Sequence, residues 1–437
     1  GQRYQVTAAL GEAASRYREA VYCQASFTDK VAQPLDAIRA MLDDALVVID
    51  HTIAVNHRPD GLYHAYNLMK LQPGTLESNS LYPMLEGQVA YLSAGAINPE
   101  KAVSVLEALF ESDIYLPDQQ TFMLYPDRQL PGFLAKNRIS AGQIKTIPLL
   151  EKMLSQGDES VVLRDADGCY RFNANFTHIG DLGSRLDELQ SRYGDELEAA
   201  REPIGLLYEQ VFNHQAFTGR SGGMFGFEGL GCIYWHMVAK LLLAVGENFF
   251  EALEQGADKS TCQRLGSLYY RVREGLGFNK TPAGYGAFPI DPYSHTPGHA
   301  GAQQPGMTGQ VKEELLARFM ELGVRVSDGA VNFVPALLRA CEFAPRVQEF
   351  RYLDVENNWQ ILTVPKVALA FTWCQTPVVM QLDDNAGPSL TIHWDNGAKQ
   401  VLTDTALPSD VSAEVFMRSG RIRQIDLVLQ SSLLFVG

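Results

Sequence analysis

Long apolar runs are missing from this chain of 437 residues. A membrane-spanning helix needs roughly 18 or more consecutive apolar residues. The longest candidate, Ile233 to Val245, is interrupted by His236 and Lys240 and reads as a buried helix. Positive charge is scarce as well: 36 Lys and Arg face 51 Asp and Glu, a formal net charge of −15. Nucleic-acid binding rests on clustered Lys and Arg, so this balance argues against such a partner and suits an enzyme acting on a neutral substrate. The six cysteines (Cys23, Cys169, Cys232, Cys262, Cys341, Cys374) show neither C-x-x-C spacing nor a Cys/His cluster. They read as free thiols in a reducing compartment. No signal peptide opens the chain at Gly1, and the expected location is cytoplasmic. Also absent are the G-x-S-x-G elbow, the P-loop, the dinucleotide fingerprint and the H-E-x-x-H zinc motif. No metal or cofactor is therefore expected.

What is present is concentrated in loops. Gly284 to Gln310 has no Lys, Arg or Glu, a single carboxylate (Asp291), two histidines (His295, His299) and frequent Gly and Pro. Loops beyond about 15 residues in compact domains are usually functional or disordered. Tyr285, Phe288 and Tyr293 give this one apolar anchors, and its polar groups suit a neutral polyhydroxylated ligand.

From Tyr4 to about Arg339 the apolar spacing predicts helices, among them Leu35 to Val55, Tyr82 to Ala94, Pro99 to Phe110, Gly180 to Tyr193, Glu196 to Phe217, Gly229 to Phe250, Ser260 to Glu274 and Thr308 to Leu322. Val161 to Asn173 alternates around Asp167-Gly168 and predicts a small hairpin. After Phe343 the period becomes that of strands, with short runs such as Gln348 to Leu353, Val378 to Leu382, Ala413 to Arg418 and Gln424 to Leu429 separated by turn residues. The expected fold class is mainly α: an (α/α)-type helical toroid over residues 1–343, then a C-terminal antiparallel β-sandwich over 344–437.

Four connectors carry residue types a helical core does not need. His57 to Leu68 supplies Asp60, Tyr63, His64 and Asn67. Glu77 to Gln88 supplies Glu77, Asn79 and Glu86, the last on an otherwise apolar helix. Gly219 to His236 supplies Phe227, Glu228, Trp235 and His236 among six glycines, of which Gly222, Gly223, Gly226, Gly229 and Gly231 allow close backbone approach. The long loop supplies Asp291, Tyr293, His295, His299, Gln303, Gln304 and Thr308. Apolar neighbours raise a carboxyl's pKa toward the range a proton donor needs. Glu228, Asp291 and Glu86 are accordingly the candidate catalytic acids, and the remaining residues are candidate substrate ligands. Each has a bland alternative: Glu228 as a helix cap, Asp291 as a turn former before Pro292, His295 and His299 as structural hydrogen-bonders, Thr308 as a plain N-cap. A zinc pair at His295 and His299 is disfavoured by Pro297-Gly298 between them.

The domain order and the Gly/aromatic/carboxylate loops resemble the helical-toroid (six-hairpin) glycosidase superfamily, with its cellobiose-phosphorylase-like and glucoamylase-like members. The strings FGFEGLGCIYWH and DPYSHTPGHAGAQQPGMTGQ are similar to segments of large bacterial proteins. The Asp-Trp-Asn-Asp type motif of the phosphorylases is absent, so no residue role is carried over. The resemblance implies an enzyme that cleaves a glycosidic bond with inversion. A phosphorylase variant would hold inorganic phosphate with His295, His299 and the Thr308-Gly309 amides, and a non-catalytic glycan-binding protein is the third reading. The oligomeric state is not legible.

Overall fold

The computed structural model describes residues 1–23, 32–126, 131–212, 232–276, 295–297 and 310–437. The chain divides into two compact units, one made of residues 1–126 with 233–437, the other of residues 127–232.

The first unit opens with α1 (Gln2–Cys23) and α2 (Leu35–Val55), neither of which buries a residue. A hairpin follows, β1 (Asn67–Gln72) with β2 (Thr75–Ser80), turning at Pro73-Gly74 where Gly74 takes φ 76°. This hairpin occupies most of the stretch between the first two connectors, which sequence periodicity left unstructured. The two-residue Pro-Gly turn was its one signal. Next come α3 (Leu85–Leu92) and α4 (Pro99–Phe110). Helix α4 starts where it does because Asn98 accepts from the Lys101 amide and Pro99 sits at the first helical position. A short ladder, β3 (Tyr115–Leu116) with β4 (Thr121–Phe122), closes this part.

The second unit contains the short helices α5 (Phe133–Lys136), α6 (Ala141–Lys145) and α7 (Pro148–Ser155), the hairpin β5 (Val162–Arg164) with β6 (Tyr170–Phe172), and a long helical segment α8 (Ile179–Phe212). Gly194, at φ 52° and ψ −129°, breaks α8 into two helices, at the junction where the sequence predicts one helix ending and another beginning. A core of Ile144, Leu150, Met153, Val162, Phe172, Leu186, Leu197 and Tyr208, among others, holds the unit together. Asn137 is buried and substitutes for a strand: its amide accepts from the Phe172 N–H and donates to the Phe172 carbonyl, each at 2.9 Å. Arg171 bridges Asp165 at 2.5 Å and the carbonyls of Leu134 and Asn137.

The first unit resumes with β7 (Cys232–Tyr234), which pairs with β8 (His295–Pro297), and with α9 (Trp235–Glu254) and α10 (Lys259–Glu274). Helix α9 buries most of its circumference, leaving one stripe, His236, Lys240, Leu243, Glu247 and Glu251, half-buried or exposed. It packs against α3, α4, α10 and the helix Gln310–Glu321. Gly246 makes the last contact close, since a Cβ there would overlap the Met320 sulfur.

Strand structure begins earlier than periodicity suggests. Val324–Ser327 (β9) and Ala330–Phe333 (β10) form a hairpin whose turn, Asp328-Gly329, has positive φ at both residues. Then come the hairpin β11 (Gln348–Leu353) with β12 (Trp359–Val364), and a five-stranded sheet in the order β13 (Ala368–Trp373), β14 (Thr376–Leu382), β17 (Ile422–Leu429), β15 (Ser389–Trp394), β16 (Lys399–Leu402). The sheet is not wholly antiparallel, because β14 and β17 run parallel. The strand expected at Ala413 to Arg418 is instead part of a helix, Ser409–Phe416. Val411 and Val415 are four apart and both buried, a helical spacing that the short window concealed. One face of the sheet (Val378, Met380, Leu390, Ile392, Ile425, Leu427) shares a core with Val324, Phe333, Val411 and Val415.

Candidate active site

Helix α3 is short, and its neighbours fix it tightly. The Leu85 amide donates to the Leu124 carbonyl at 2.9 Å, and buried Gln88 exchanges hydrogen bonds with the Tyr63 backbone at 2.9 and 2.8 Å. At Gly87 a Cβ would stand 2.5 Å from the Ala65 Cβ, so only glycine lets the 56–65 turn lie this close.

On one side α3 meets α9. Glu86, Val89 and Ser93 face Met237, Lys240 and Leu243 across a cleft of about 300 Å³. Ser93 Oγ donates to Glu247 Oε2 at 2.9 Å, and Asn248 Nδ2 donates to the Leu92 carbonyl at 2.8 Å. The C-terminal end of α3 therefore lies beside residues 247–248, and the two helices run in the same direction. Glu86, in the first turn of α3, is half-buried. Among the described residues Lys240 has no ion-pair partner. Desolvation pushes the Glu247 carboxyl above its ordinary range, against the lowering effect of the Ser93 hydroxyl and with the help of nearby Glu251. Neither Lys240 nor Glu247 stood out in the sequence. Their only signal was polar placement on α9, at positions seven apart and thus on one face of an otherwise apolar helix.

The adjoining flank of α3 meets the end of α2, and Ala90 lies on the wall of both pockets. Tyr63, His64, Gly87, Tyr91 and Ala94 line a second pocket, about 230 Å³, with Thr52, Ile53 and Asn56. The Tyr63 ring stacks on Tyr91 with centroids 3.7 Å apart, and the Tyr63 hydroxyl donates to that of Tyr91 at 2.7 Å. His64 Nδ1 lies 3.0 Å from the Leu81 carbonyl. Burial, and then the bond to Tyr63, drive the Tyr91 phenol upward.

The other candidates from the first two connectors are placed apart from these clefts. Asp60 is exposed and committed to its own turn, bridging Arg58 at 2.7 Å and accepting from the Leu62 amide at 3.2 Å. The Arg58 hydrogen bonds hold its carboxyl below the usual range. Asn67 accepts from Ser80 across the exposed hairpin at 3.1 Å; Glu77 is paired in register with Lys70 and Asn79 with Leu68. Trp235, at the start of α9, is fully buried and presents no ring face to solvent. His236 is half-buried, 5.7 Å from the Tyr234 ring. His295 belongs to β8. Glu228, Asp291, Phe227, Tyr293, His299, Gln303, Gln304 and Thr308 lie outside the described residues.

A different carboxylate closes the far side of α9. Glu321 is wholly buried and takes Arg273 at 2.8 Å, Arg318 at 2.6 Å and the Tyr269 hydroxyl at 2.7 Å. Arg318 also reaches Glu342 at 2.7 Å. Among the described residues no cluster of His, Cys, Asp and Glu is arranged to hold a metal ion, and no helix is long and apolar enough to cross a membrane. Cys23, Cys169, Cys262, Cys341 and Cys374 are free thiols.

Residues 130–215 match the family model of GH149 phosphorylase insertion domain 2. The match lies wholly inside the compact unit of residues 127–232 and covers about a fifth of the chain. No curated protein matches the chain. The second unit is thus similar to a domain found inserted in glycoside phosphorylases, a relation that favours a carbohydrate-active enzyme.

Proposed function

We propose that this chain is the catalytic part of an inverting glycoside phosphorylase. The observation that carries the reading is the likeness of residues 130–215 to a phosphorylase insertion domain, coincident with a separately folded unit. A second supports it over plain hydrolysis: an acid, Glu86, and a cation with no ion-pair partner among the described residues, Lys240, line the same cleft. Hydrolysis by inversion needs two carboxylates around the bond. Phosphorolysis needs one proton donor and a seat for an anion.

In this reading residues 1–343, apart from the second unit, form a helical toroid and residues 344–437 a β-sandwich. The acid, Glu86 or one of the loop carboxylates Glu228 and Asp291, protonates the glycosidic oxygen. A phosphate oxygen attacks the anomeric carbon from the opposite face, the carbon–oxygen bond breaks toward the protonated leaving sugar, and a sugar 1-phosphate of inverted configuration results. Lys240, His295, His299 and the Thr308-Gly309 amides hold the phosphate. Positioned charge of this kind contributes most where water is excluded. Tyr63, His64, Phe227, His236, Tyr293, Gln303 and Gln304 are the proposed sugar ligands.

Incubation of the protein with a panel of glucans and other oligosaccharides, with and without inorganic phosphate, tests the proposal. The expected product is a sugar 1-phosphate that forms only when phosphate is present. Free reducing sugar released at the same rate without phosphate assigns hydrolysis, and binding of a glycan with no turnover in either condition assigns the non-catalytic reading.

A further inference from the structure

The pocket between α2 and α3 has a composition unlike that of the Glu86 cleft. No Asp, Glu, Lys or Arg lines it. Its volume of about 230 Å³ falls below the roughly 300–1,000 Å³ of pockets for drug-sized ligands, which limits an occupant to a single ring. Three polar groups on its wall are left with unused capacity. Asn56 spends its Nδ2 on the Thr52 carbonyl at 2.8 Å, which leaves Oδ1 as an acceptor. His64 uses Nδ1 on the Leu81 carbonyl at 3.0 Å, which fixes the proton there in the neutral ring and leaves Nε2 as an acceptor. Tyr91 accepts from Tyr63, which leaves its own hydroxyl hydrogen to donate. Among the described residues none of these three groups has a further partner. The remaining wall is apolar: the stacked Tyr63 and Tyr91 rings and the small residues Gly87 and Ala94.

We infer that this pocket binds one neutral pyranose ring, on the flank of α3 next to the Glu86 cleft, with Ala90 between the two. A pyranose presents hydroxyls that both donate and accept, which suits one donor and two acceptors, and an apolar C–H face, which suits a tyrosine ring. Charged sugars and phosphates are disfavoured, since no Lys or Arg lines the pocket; the nearest cation, Arg58, stands behind His64, 3.5 Å from its Nδ1, and is paired with Asp60. The inference rests on reading the chain as a sugar-processing enzyme, and it adds Asn56 and Tyr91 to the ligands. The rigid Tyr63–Tyr91 pair and Gln88, which ties the Tyr63 backbone to α3, keep the pocket formed without ligand.

The test uses the full chain and three probes, D-glucose, D-galactose and D-mannose, followed by ligand-observed saturation-transfer NMR. Binding of at least one hexose is expected. It should survive Glu86→Gln, weaken about fivefold in Tyr91→Phe, the size of one lost neutral hydrogen bond, and disappear in Ala94→Phe, which fills the pocket from an exposed position. Melting temperatures close to wild type exclude unfolding as the cause. The inference is overturned if no hexose binds, or if Glu86→Gln removes binding while Ala94→Phe leaves it. Failure of the phosphorylase reading is separate: hexose binding sensitive to Ala94→Phe in a protein that forms no sugar 1-phosphate retains the pocket and discards the activity.

Discussion

Helix α9 has two ionisable seams, and they are built differently. Toward α10 and Gln310–Glu321, Glu321 is sealed from solvent with two guanidinium groups and a phenol around it. Toward α3, Glu86 and Lys240 share an open cleft, and Glu247 keeps an upward-shifted carboxyl beside Ser93. A buried carboxylate held by three donors cannot take part in proton transfer without losing that network, and its removal takes a charge partner from two half-covered guanidinium groups. A carboxyl at a cleft wall is within reach of a substrate. Of the two seams, one holds the helices in place and the other is where chemistry can occur.

The sharpest way to break this contrast is to exchange the consequences of two substitutions. Glu321→Ala should cost about 3–5 kcal/mol of unfolding free energy, because Arg273 and Arg318 lose a buried partner; urea denaturation would read it. A loss below about 1 kcal/mol would make that seam as dispensable as the surface. Glu86→Gln should do the reverse, leaving stability within about 1 kcal/mol of wild type while lowering turnover about 10²-fold or more, as the loss of a general acid does. Lys240→Met is expected to raise the KM for phosphate about tenfold, with a smaller effect on the sugar KM, since one charge-assisted hydrogen bond is worth about 1.5 kcal/mol or more. Equal changes in both constants would remove Lys240 from the phosphate seat.

The smallest effect concerns Glu247. A carboxyl whose folded pKa is raised holds its proton longer in the folded chain than in the unfolded one. The associated stability is complete below the ordinary carboxylate range and is lost as pH rises through the raised value. Glu247→Gln, which keeps an acceptor for Ser93, should then leave the melting temperature unchanged near pH 4. Near pH 8 it should raise stability by less than about 0.5 kcal/mol, after solvent screening of a side chain with an open edge. A loss of stability near pH 8 would reverse the assignment of the shift.

Much of the helical layout was legible because long amphipathic segments with marked ends announce themselves. Pro99 to Phe110 begins at an Asn-Pro cap, and the break between the two helices of α8 falls on Gly194. Strands hid where the windows were short. The β1–β2 hairpin mixes polar and apolar residues on both faces, so it lacks the alternation that marks a half-buried strand. Val411 and Val415 fit either period until their burial is known. Burial itself was the least legible property. Helices α2 and α9 have 21 and 20 residues and are both rich in apolar side chains, yet one buries none and the other is buried on all but one stripe. The same limit applies to the site: Tyr63, His64 and Glu86 were chosen by residue type, and Asp60 by the same rule, although Asp60 serves its own turn. Lys240 and Tyr91 were passed over because their helices looked like core.

The central claim is that the chain transfers a sugar to phosphate with a carboxylic acid of the cleft as proton donor. A ³¹P NMR time course, on wild type and Glu86→Gln with a glycan substrate and inorganic phosphate, tests it most directly. The account expects a new sugar 1-phosphate resonance of inverted anomeric configuration from wild type and its near absence from the variant. Phosphate left unconsumed while reducing sugar accumulates, or equal product from both proteins, would contradict it.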